Sequence, residues 1–241
     1  MSGPRVYCSQ SLTPQQTIEL DDIAVGHVIR VLRLNDGDPI RVFNGDGNEY
    51  AAELCDVSKK RANARISGVL KRDDPQPLTL HLGQVISKGD RMDFTIQKAT
   101  ELGVATITPL WSERCEVKLK GERLEKKLEH WRRVAVSACE QSGRNQVPDI
   151  LAPQHFSDWC KNSDAELKFT LHPHKQKPLS EYNTPASLAL LVGPEGGFSE
   201  TEVEQSQALE FHGLTLGPRV LRTETAALAA LSVFQFQWGD F

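Results

Sequence analysis

Two segments near the C-terminal end of the chain carry the residues that are best suited to bind and act on a small ligand. Residues 193–199 read GPEGGFS, and residues 216–226 read LGPRVLRTETA. Glycine allows backbone conformations and close approaches that other residues cannot make, while proline fixes one dihedral angle and removes an N–H donor. We therefore predict that the two segments are loops that together enclose a small ligand.

The elements around these loops follow the order strand, loop, helix. Residues 187–192, SLALLV, form a continuous apolar run typical of a strand buried on both faces, and it leads directly into Gly193. Ser199, with Glu202 three residues later, predicts a capping box. The second segment repeats the plan, with a short strand at residues 214–216 and a helix capped by Thr223. Both loops would then lie at the carboxyl ends of strands, where open α/β sheets bind ligands.

The two loops, with residues 97–104 (QKATELGV) and 140–144 (EQSGR), closely resemble the RsmE-type methyltransferases of the SPOUT superfamily. The resemblance extends to residues 27–33 (HVIRVLR) and 43–47 (FNGDG), so it covers nearly the whole chain. GPEGG alone is a weak signal, but followed about twenty residues later by LGPRVLRTETA it is specific. Members of this family methylate N3 of a uridine in the decoding region of 16S ribosomal RNA, with S-adenosylmethionine as methyl donor.

The resemblance implies two domains. Residues 1–73 would form a small PUA-like β-barrel that binds RNA, and residues 74–241 an α/β methyltransferase domain with a mainly parallel sheet and a deep trefoil knot. On residue pattern alone, an SH3-like or OB-like barrel fits residues 1–73 equally well, and a Rossmann-like domain fits the remainder. The glycine-rich motifs of dinucleotide and nucleoside triphosphate sites are absent, which disfavours those ligands.

The matching motifs imply where S-adenosylmethionine binds. For Leu216, Val220 and Leu221, packing in the ordinary core is an equally good interpretation. The complete set of implied cofactor-binding residues is Leu171, His172, Gly193, Pro194, Glu195, Gly197, Leu216, Gly217, Val220, Leu221, Arg222 and Thr223.

The implied reaction requires that the weakly acidic uridine N3 proton is lost at or before methyl transfer. A positive side chain that stabilises the developing negative charge would help, and Arg222 and Arg144 are the candidates. Glu224, two residues from Arg222, is the candidate proton acceptor. Its alternative interpretation is an ion-pair partner or a favourable charge at the start of a helix. Glu195 likewise could simply order its loop.

The charge distribution requires that any RNA site is local. The net charge is −4, and residues 1–73 carry ten basic and ten acidic side chains. A protein that coats nucleic acid indiscriminately needs a basic excess, because such affinity comes from neutralising phosphates. Clusters at residues 59–61, 65 and 71–72 are basic, although each could be ordinary solvated surface. The predicted RNA-binding residues are Arg30, Arg33, Lys88, Arg91, Lys98 and Arg114.

Periodicity and turn residues predict the remaining elements. A linker is predicted at residues 73–77, a hairpin turn at 44–47 and a homodimer contact through the apolar C-terminal helix, with Val233, Phe234, Phe236 and Trp238. The predicted strands are 39–43, 49–57, 62–70, 78–86, 105–110, 167–171 and 188–192. The predicted helices are 21–34, 90–102 and 122–139.

Composition favours a cytoplasmic protein and limits the alternative functions. The 241 residues contain no membrane-length apolar run and no N-terminal signal sequence, and the five widely spaced cysteines suit a reducing cytoplasm. His172 and His174 lack a third ligand, so no metal is expected. Two alternatives stay open. A small-molecule methyltransferase would not need the N-terminal module with Arg30 and Arg33. A non-catalytic RNA-binding or ribosome-assembly factor would not need the intact loops. We expect the assembled small subunit as substrate and an active site shared across the dimer.

Overall fold

The computed structural model describes residues 3–172 and 176–241 and divides them into two compact units. The first unit consists of the chain up to Pro75 together with Val136–Val147, and the second of Gln76–Ala135 together with Pro148–Phe241. Each unit has its own sheet.

Five strands of the described chain form the sheet of the first unit, in the order β1-β3-β4-β5-β2. The pairing of β1 with β3 is parallel, and the other pairings are antiparallel. Alternate side chains face a hydrophobic core that includes Val6, Ile18, Val42, Leu54 and Ile66. The strands are β1 (Arg5–Tyr7), β2 (Thr17–Glu19), β3 (Pro39–Phe43), β4 (Asn48–Cys55) and β5 (Asn63–Arg72).

The helix predicted for residues 21–34 begins as expected but changes type. Asp21 caps α1 (Asp22–Val25) by accepting a hydrogen bond from the Ala24 N–H at 2.8 Å. The chain then continues as a π-helical segment, Gly26–Val31. This segment combines a glycine with three β-branched residues, which weakens its preference for a regular α-helix. The helix predicted to run through Leu34 therefore starts as predicted but ends earlier, at Val31.

A buried arginine connects residues 136–147 to the strands of the first unit. The Arg5 guanidinium donates to the Cys139 carbonyl oxygen at 2.9 Å and to the Asn145 side-chain oxygen. It also forms an ion pair with Glu49 at 2.8 Å and lies over the Phe43 ring. Since a buried charge is costly without partners, these contacts fix the segment in place.

The second unit contains a parallel sheet, which has seven strands in the described part of the chain, in the order β12-β10-β11-β6-β7-β8, with β9 also paired to β7. The strands are β6 (Thr79–Val85), β7 (Thr106–Trp111), β8 (Asp149–Ile150), β9 (Gln154–His155), β10 (Leu167–Thr170), β11 (Ser187–Val192) and β12 (His212–Gly213). The helices of the second unit are α2 (Arg91–Glu101), α4 (Phe156–Asn162), α5 (Glu200–Ala208), α6 (Thr223–Trp238) and the part of α3 (Glu122–Ser142) up to Ala135. The rest of α3 belongs to the first unit.

Strand β11 confirms the prediction for the continuous apolar run. It lies between β10 and β6, and the five residues 188–192 are buried. The strand predicted at residues 214–216 is wrong, because the strand is instead His212–Gly213. The Leu214 N–H still donates to the Thr170 carbonyl oxygen at 2.9 Å. Strand β10 ends at Thr170, and within the described part of the chain residues 215 and 216 belong to no strand.

The predicted helix starts are confirmed for α5 and wrong in detail for α6. Ser199 and Glu202 form the reciprocal capping box that their spacing predicts. At α6, however, Arg222 occupies the cap position without a side-chain hydrogen bond, and Thr223 is the first helical residue. The Thr223 hydroxyl makes a different contact, described below.

Candidate functional site

A cavity of about 620 Å³ lies where the chain leaves β10 and β11 and where α6 begins. Its lining combines exposed backbone at glycines with apolar and charged side chains. This size is typical of a small-molecule site. The described residues that line it are Arg91, Leu171, His172, Val192, Gly193, Pro194, Glu195, Gly197, Phe198, Val220, Leu221, Arg222, Thr223 and Ala226.

The cavity brings together most of the residues that the sequence assigned to a cofactor pocket, from loops far apart in the chain. Leu216 and Gly217 do not line it. Val220 is fully exposed, so it is not a core residue. The predicted residues in the lining are Leu171, His172, Gly193, Pro194, Glu195, Gly197, Val220, Leu221, Arg222 and Thr223.

Sequence reasoning missed four residues of the lining. Val192 ends the buried strand β11, and Phe198 follows the glycine loop directly. Ala226 lies one helical turn after Thr223, a spacing that could have identified it. Arg91 was assigned to RNA rather than to this cavity.

Two positions in the lining of the cavity require glycine. A Cβ atom on Gly193 would lie 3.1 Å from the Phe198 ring, so a larger residue there would push the ring out of place. Gly197 has a φ angle of 67°, which side-chain-bearing residues rarely adopt. These two requirements explain the predicted glycine-rich loop.

A buried hydrogen-bond chain holds the start of α6 against the loop after β11. The Gln84 side-chain amide of β6 donates to the Thr223 hydroxyl at 3.0 Å, and this hydroxyl donates to the Gly193 carbonyl oxygen at 2.7 Å. Gln84 is completely buried. Thr223 therefore joins the two predicted loops, although it does not cap α6.

Two arginines hold the loop that contains Glu195. Arg91 lies 2.6 Å from the Glu195 carboxylate, and Arg114 donates to the Gly196 carbonyl oxygen at 2.9 Å. Partial burial alone would raise the pKa of Glu195, but its own backbone N–H and Arg91 outweigh burial and lower it. This arrangement favours the interpretation that Glu195 orders its loop.

The three catalytic candidates lie in different places. Arg222 lines the first cavity, whereas Glu224 lines a second cavity of about 630 Å³. Arg144 belongs to the first unit. Arg91 lines both cavities of the second unit.

The predicted RNA-binding residues also divide between the units. Arg30 and Arg33 are exposed in and just after the π-helical segment, and Arg33 has a φ angle of 57°. In the second unit, Lys98 pairs with Glu101 at 2.7 Å within α2, and Lys88 pairs with Glu116.

The described residues contain no group of three or more metal-ligating side chains. His174, half of the histidine pair noted in the sequence, lies outside the described residues. Across residues 3–172 and 176–241, none of the helices combines the length and apolar character of a membrane span.

Comparison with known proteins identifies relatives over the whole chain. The model of the RNA methyltransferase domain family matches residues 74–235, and that of the RNA methyltransferase PUA domain matches residues 20–67. The ribosomal RNA small subunit methyltransferase E of Bacillus subtilis is 34% identical over 240 residues, which cover 95% of this chain and 93% of that protein. The protein of the same name from Buchnera aphidicola of Schizaphis graminum is 37% identical over 239 residues, which cover 98% and 97%.

Two solved structures have nearly the same fold. A methyltransferase from Legionella pneumophila in complex with S-adenosylmethionine has a TM-score of 0.96 and 44% identity. The ribosomal RNA small subunit methyltransferase E of Neisseria gonorrhoeae, bound to S-adenosylmethionine, has a TM-score of 0.94 and 42% identity. In both comparisons, the match covers 100% of each chain.

Proposed function

The chain belongs to the RNA methyltransferase family, and from this membership we propose that it transfers a methyl group from S-adenosylmethionine to the 16S RNA of the small ribosomal subunit. The predicted fold class, a SPOUT-type α/β domain preceded by a PUA domain, is confirmed by the relatives. The trefoil knot stays a prediction. One observation carries the proposal: ten of the residues that sequence assigned to the cofactor line one cavity at the carboxyl ends of parallel strands.

The finer part of the proposal is the position methylated. We propose N3 of uridine 1498, in the usual rRNA numbering, on the assembled small subunit. Support comes from the loop motifs at residues 193–197 and 216–226, which resemble those of the uridine-N3 methyltransferases. The proposal places the protein in the cytoplasm, where its substrate would be made.

The residues of the first cavity fit S-adenosylmethionine. Backbone groups at Gly193 and Gly197 can bind the polar edges of adenine and ribose, while Leu171, Val220 and Leu221 offer apolar contact. When bound, the cofactor supplies a methyl group that its sulfonium already makes electrophilic. The protein therefore has to align the reactants and manage one proton.

The residues around the cavity have distinct tasks. Thr223 holds the two loops together, and the Arg91–Glu195 pair orders the glycine loop. Arg222, at the first cavity, would stabilise negative charge that develops on the uracil carbonyl oxygens. Arg144 is the second candidate for this role.

We assign RNA binding to residues 1–73 and methyl transfer to residues 74–241. Arg30 and Arg33 are exposed on the first unit, and Arg91 and Arg114 lie at the loop of the second unit. Lys88 and Lys98 are the remaining proposed phosphate contacts. We also propose a homodimer formed through α6, whose Phe236 is 77% exposed.

The test is methyl transfer from labelled S-adenosylmethionine to small subunits that lack the modification, with naked 16S RNA and free nucleosides in parallel. We expect N3-methyluridine in the subunit RNA. Cofactor binding without RNA methylation would instead indicate a small-molecule methyltransferase. Binding of RNA without cofactor binding would indicate a non-catalytic ribosome-assembly factor.

A further inference from the structure

The second cavity has a place in the fold that suits the methyl acceptor. It is lined by residues 88–91 and Phe94 at the start of α2, and by Glu224 and Thr225 at the start of α6. Thr223 and Ala226, one turn apart, instead line the first cavity. Because successive helical residues point in directions about 100° apart, the first turn of α6 presents different residues to the two cavities. Arg91 belongs to both.

Phe94 gives this cavity a flat apolar surface. Its side chain is 45% exposed although it lies in the first turn of a helix whose inner face is well packed. An exposed aromatic ring in a cavity can stack on a nucleobase, because every base has a flat π face. The volume of about 630 Å³ is large enough for a nucleotide.

Glu224 gives the cavity a hydrogen-bond acceptor. Its Oε2 atom is buried and has no hydrogen-bond partner among the described residues. Buried polar atoms in native proteins are normally paired, so such an atom calls for a donor. Rotation about the last side-chain bond, which is soft, exchanges the two carboxylate oxygens and can bring either one toward a ligand.

The acceptor character of Glu224 would also determine which base fits. Uracil carries a hydrogen on N3 and can donate it to a carboxylate. Cytosine has a lone pair at N3, which would face the carboxylate and repel it. When the wrong base binds and a buried polar group of the pocket stays without a hydrogen bond, the pocket strongly favours the correct base.

The cations at the cavity are available to an RNA phosphate. Lys88 pairs with Glu116 and Arg91 with Glu195, and the side chains of both pairs are about 40–70% exposed. Lysine and arginine each have several N–H donors, so these partly exposed side chains can contact a phosphate while they keep their carboxylate partners.

We propose that this second cavity is the acceptor subsite, in which Phe94 stacks on an unstacked uracil, Glu224 accepts its N3 hydrogen, and Lys88 and Arg91 contact the adjoining phosphate. The inference rests on the proposed function and specifies the residues that recognise its substrate. In the reaction, the N3 proton passes to the Glu224 carboxylate, and the bond between N3 and the methyl carbon forms as the methyl–sulfur bond breaks. The electron pair of the broken bond stays on sulfur.

Three variants test the subsite, with N3-methyluridine formation on small subunits as the first readout. Phe94→Ala should lower kcat/KM about 10- to 100-fold, which corresponds to the loss of one stacked base. The Kd for S-adenosylmethionine should stay within about twofold, because Phe94 does not line the first cavity. Phe94→Trp should retain activity and gain a tryptophan fluorescence signal that RNA quenches. Glu224→Gln should lower kcat at least about 100-fold, because the amide cannot accept the N3 proton.

Phe241→Ala is the matched control, since Phe241 is 62% exposed and lines neither cavity. Sedimentation of each variant completes the test. If wild-type protein forms no N3-methyluridine, the proposed function fails. If wild type is active and Phe94→Ala is equally active, or if Phe94→Ala alters the oligomeric state, the acceptor subsite is overturned. Unchanged binding of RNA by Phe94→Trp without quenching would also overturn it.

Discussion

The hydroxyl of Thr223 shows how one buried atom connects two loops that are about thirty residues apart in the chain. It accepts from Gln84 and donates to Gly193, so its removal would leave one buried Gln84 N–H and the Gly193 carbonyl oxygen without this partner. Thr223→Val preserves the side-chain shape but removes the hydroxyl, at a cost of about 1–3 kcal/mol. We expect the Kd for S-adenosylmethionine, measured by calorimetry, to rise about tenfold. Thr223→Ser retains the hydroxyl and should bind nearly as wild type; equal Kd values for all three proteins would contradict this role.

His81 makes the stability of the second unit depend on pH. Burial lowers its pKa from 6.5 to about 4, slightly opposed by Asp164. Its Nε2 atom accepts from the Trp159 indole at 3.2 Å and lies 2.8 Å from the Thr108 hydroxyl, so the neutral ring is favoured. Below pH 6.5 the unfolded chain binds the proton more readily, and the free energy of unfolding should fall by about 3 kcal/mol between pH 6.5 and 4.

Urea unfolding followed by tryptophan fluorescence at several pH values would measure this dependence. His81→Gln should flatten the profile between pH 6.5 and 4, because it removes the titrating group. His155→Gln, at an exposed histidine of the same unit, should leave the slope unchanged. If His81→Gln keeps the wild-type dependence of unfolding free energy on pH, groups other than His81 cause that dependence.

One carboxylate on α2 forms hydrogen bonds with three side chains of α3. Asp93 accepts from Lys127 at 2.9 Å, from the Trp131 indole at 2.9 Å and from His130 at 2.6 Å. Burial by itself would raise the pKa of Asp93, but the hydrogen bonds and charges of Lys127 and His130 lower it overall. Its stabilising effect is therefore complete above pH 3.8 and is lost as pH falls through the lower folded-state pKa.

Asp93→Asn should lower the free energy of unfolding at pH 7 by about 1–3 kcal/mol, since the amide cannot accept all three hydrogen bonds with charge assistance. Asp158→Asn, at an exposed carboxylate in the first turn of α4, is the control and should change stability by less than about 0.5 kcal/mol. An equal decrease in the free energy of unfolding for both variants would show that Asp93 does not stabilise the position of α3.

The sequence predicted the secondary-structure elements well where one requirement, such as burial of an apolar run or capping of a helix, determines the local structure. The apolar run at residues 187–192 had to be a buried strand, and the spacing of Ser199 and Glu202 had to give a capping box. The strand at residues 214–216 was wrong because strand length depends on the partner, and β10 ends at Thr170. The π-helical segment was missed for a different reason: the Asp21 cap fixes where the helix begins, while a glycine and three β-branched residues then weaken the preference for a regular α-helix.

The sequence predicted the site from the motifs of its two loops. The contacts that it did not predict join residues that are far apart in the chain. Arg91, from the start of α2, reaches a loop about a hundred residues later. Gln84 of β6 bonds to Thr223 across a similar separation. No periodicity within a segment encodes such pairings, which arise only when parallel strands place the two regions side by side.

At the scale of the whole molecule, α6 has apolar residues on two sides. Ala227, Leu231, Phe234 and Trp238 are buried against the second unit, whereas Phe236 is 77% exposed and Val233 is 37% exposed. A helix that is apolar beyond its packed face has a further surface to bury, and burying a phenylalanine contributes about 1.5–3 kcal/mol. This supports the homodimer proposed through α6.

Replacing Phe236 with a charged residue tests that proposal. In a dimer through α6, Phe236→Glu would place two carboxylates in an apolar interface, and we expect sedimentation equilibrium to show monomers at concentrations where wild type is dimeric. Phe241→Glu carries the same charge on an exposed phenylalanine beyond the end of α6, so it should stay dimeric. If Phe236→Glu keeps the wild-type mass while Phe241→Glu dissociates, the interface is at the chain terminus rather than on α6. If wild type is itself a monomer at these concentrations, the proposed homodimer through α6 is wrong.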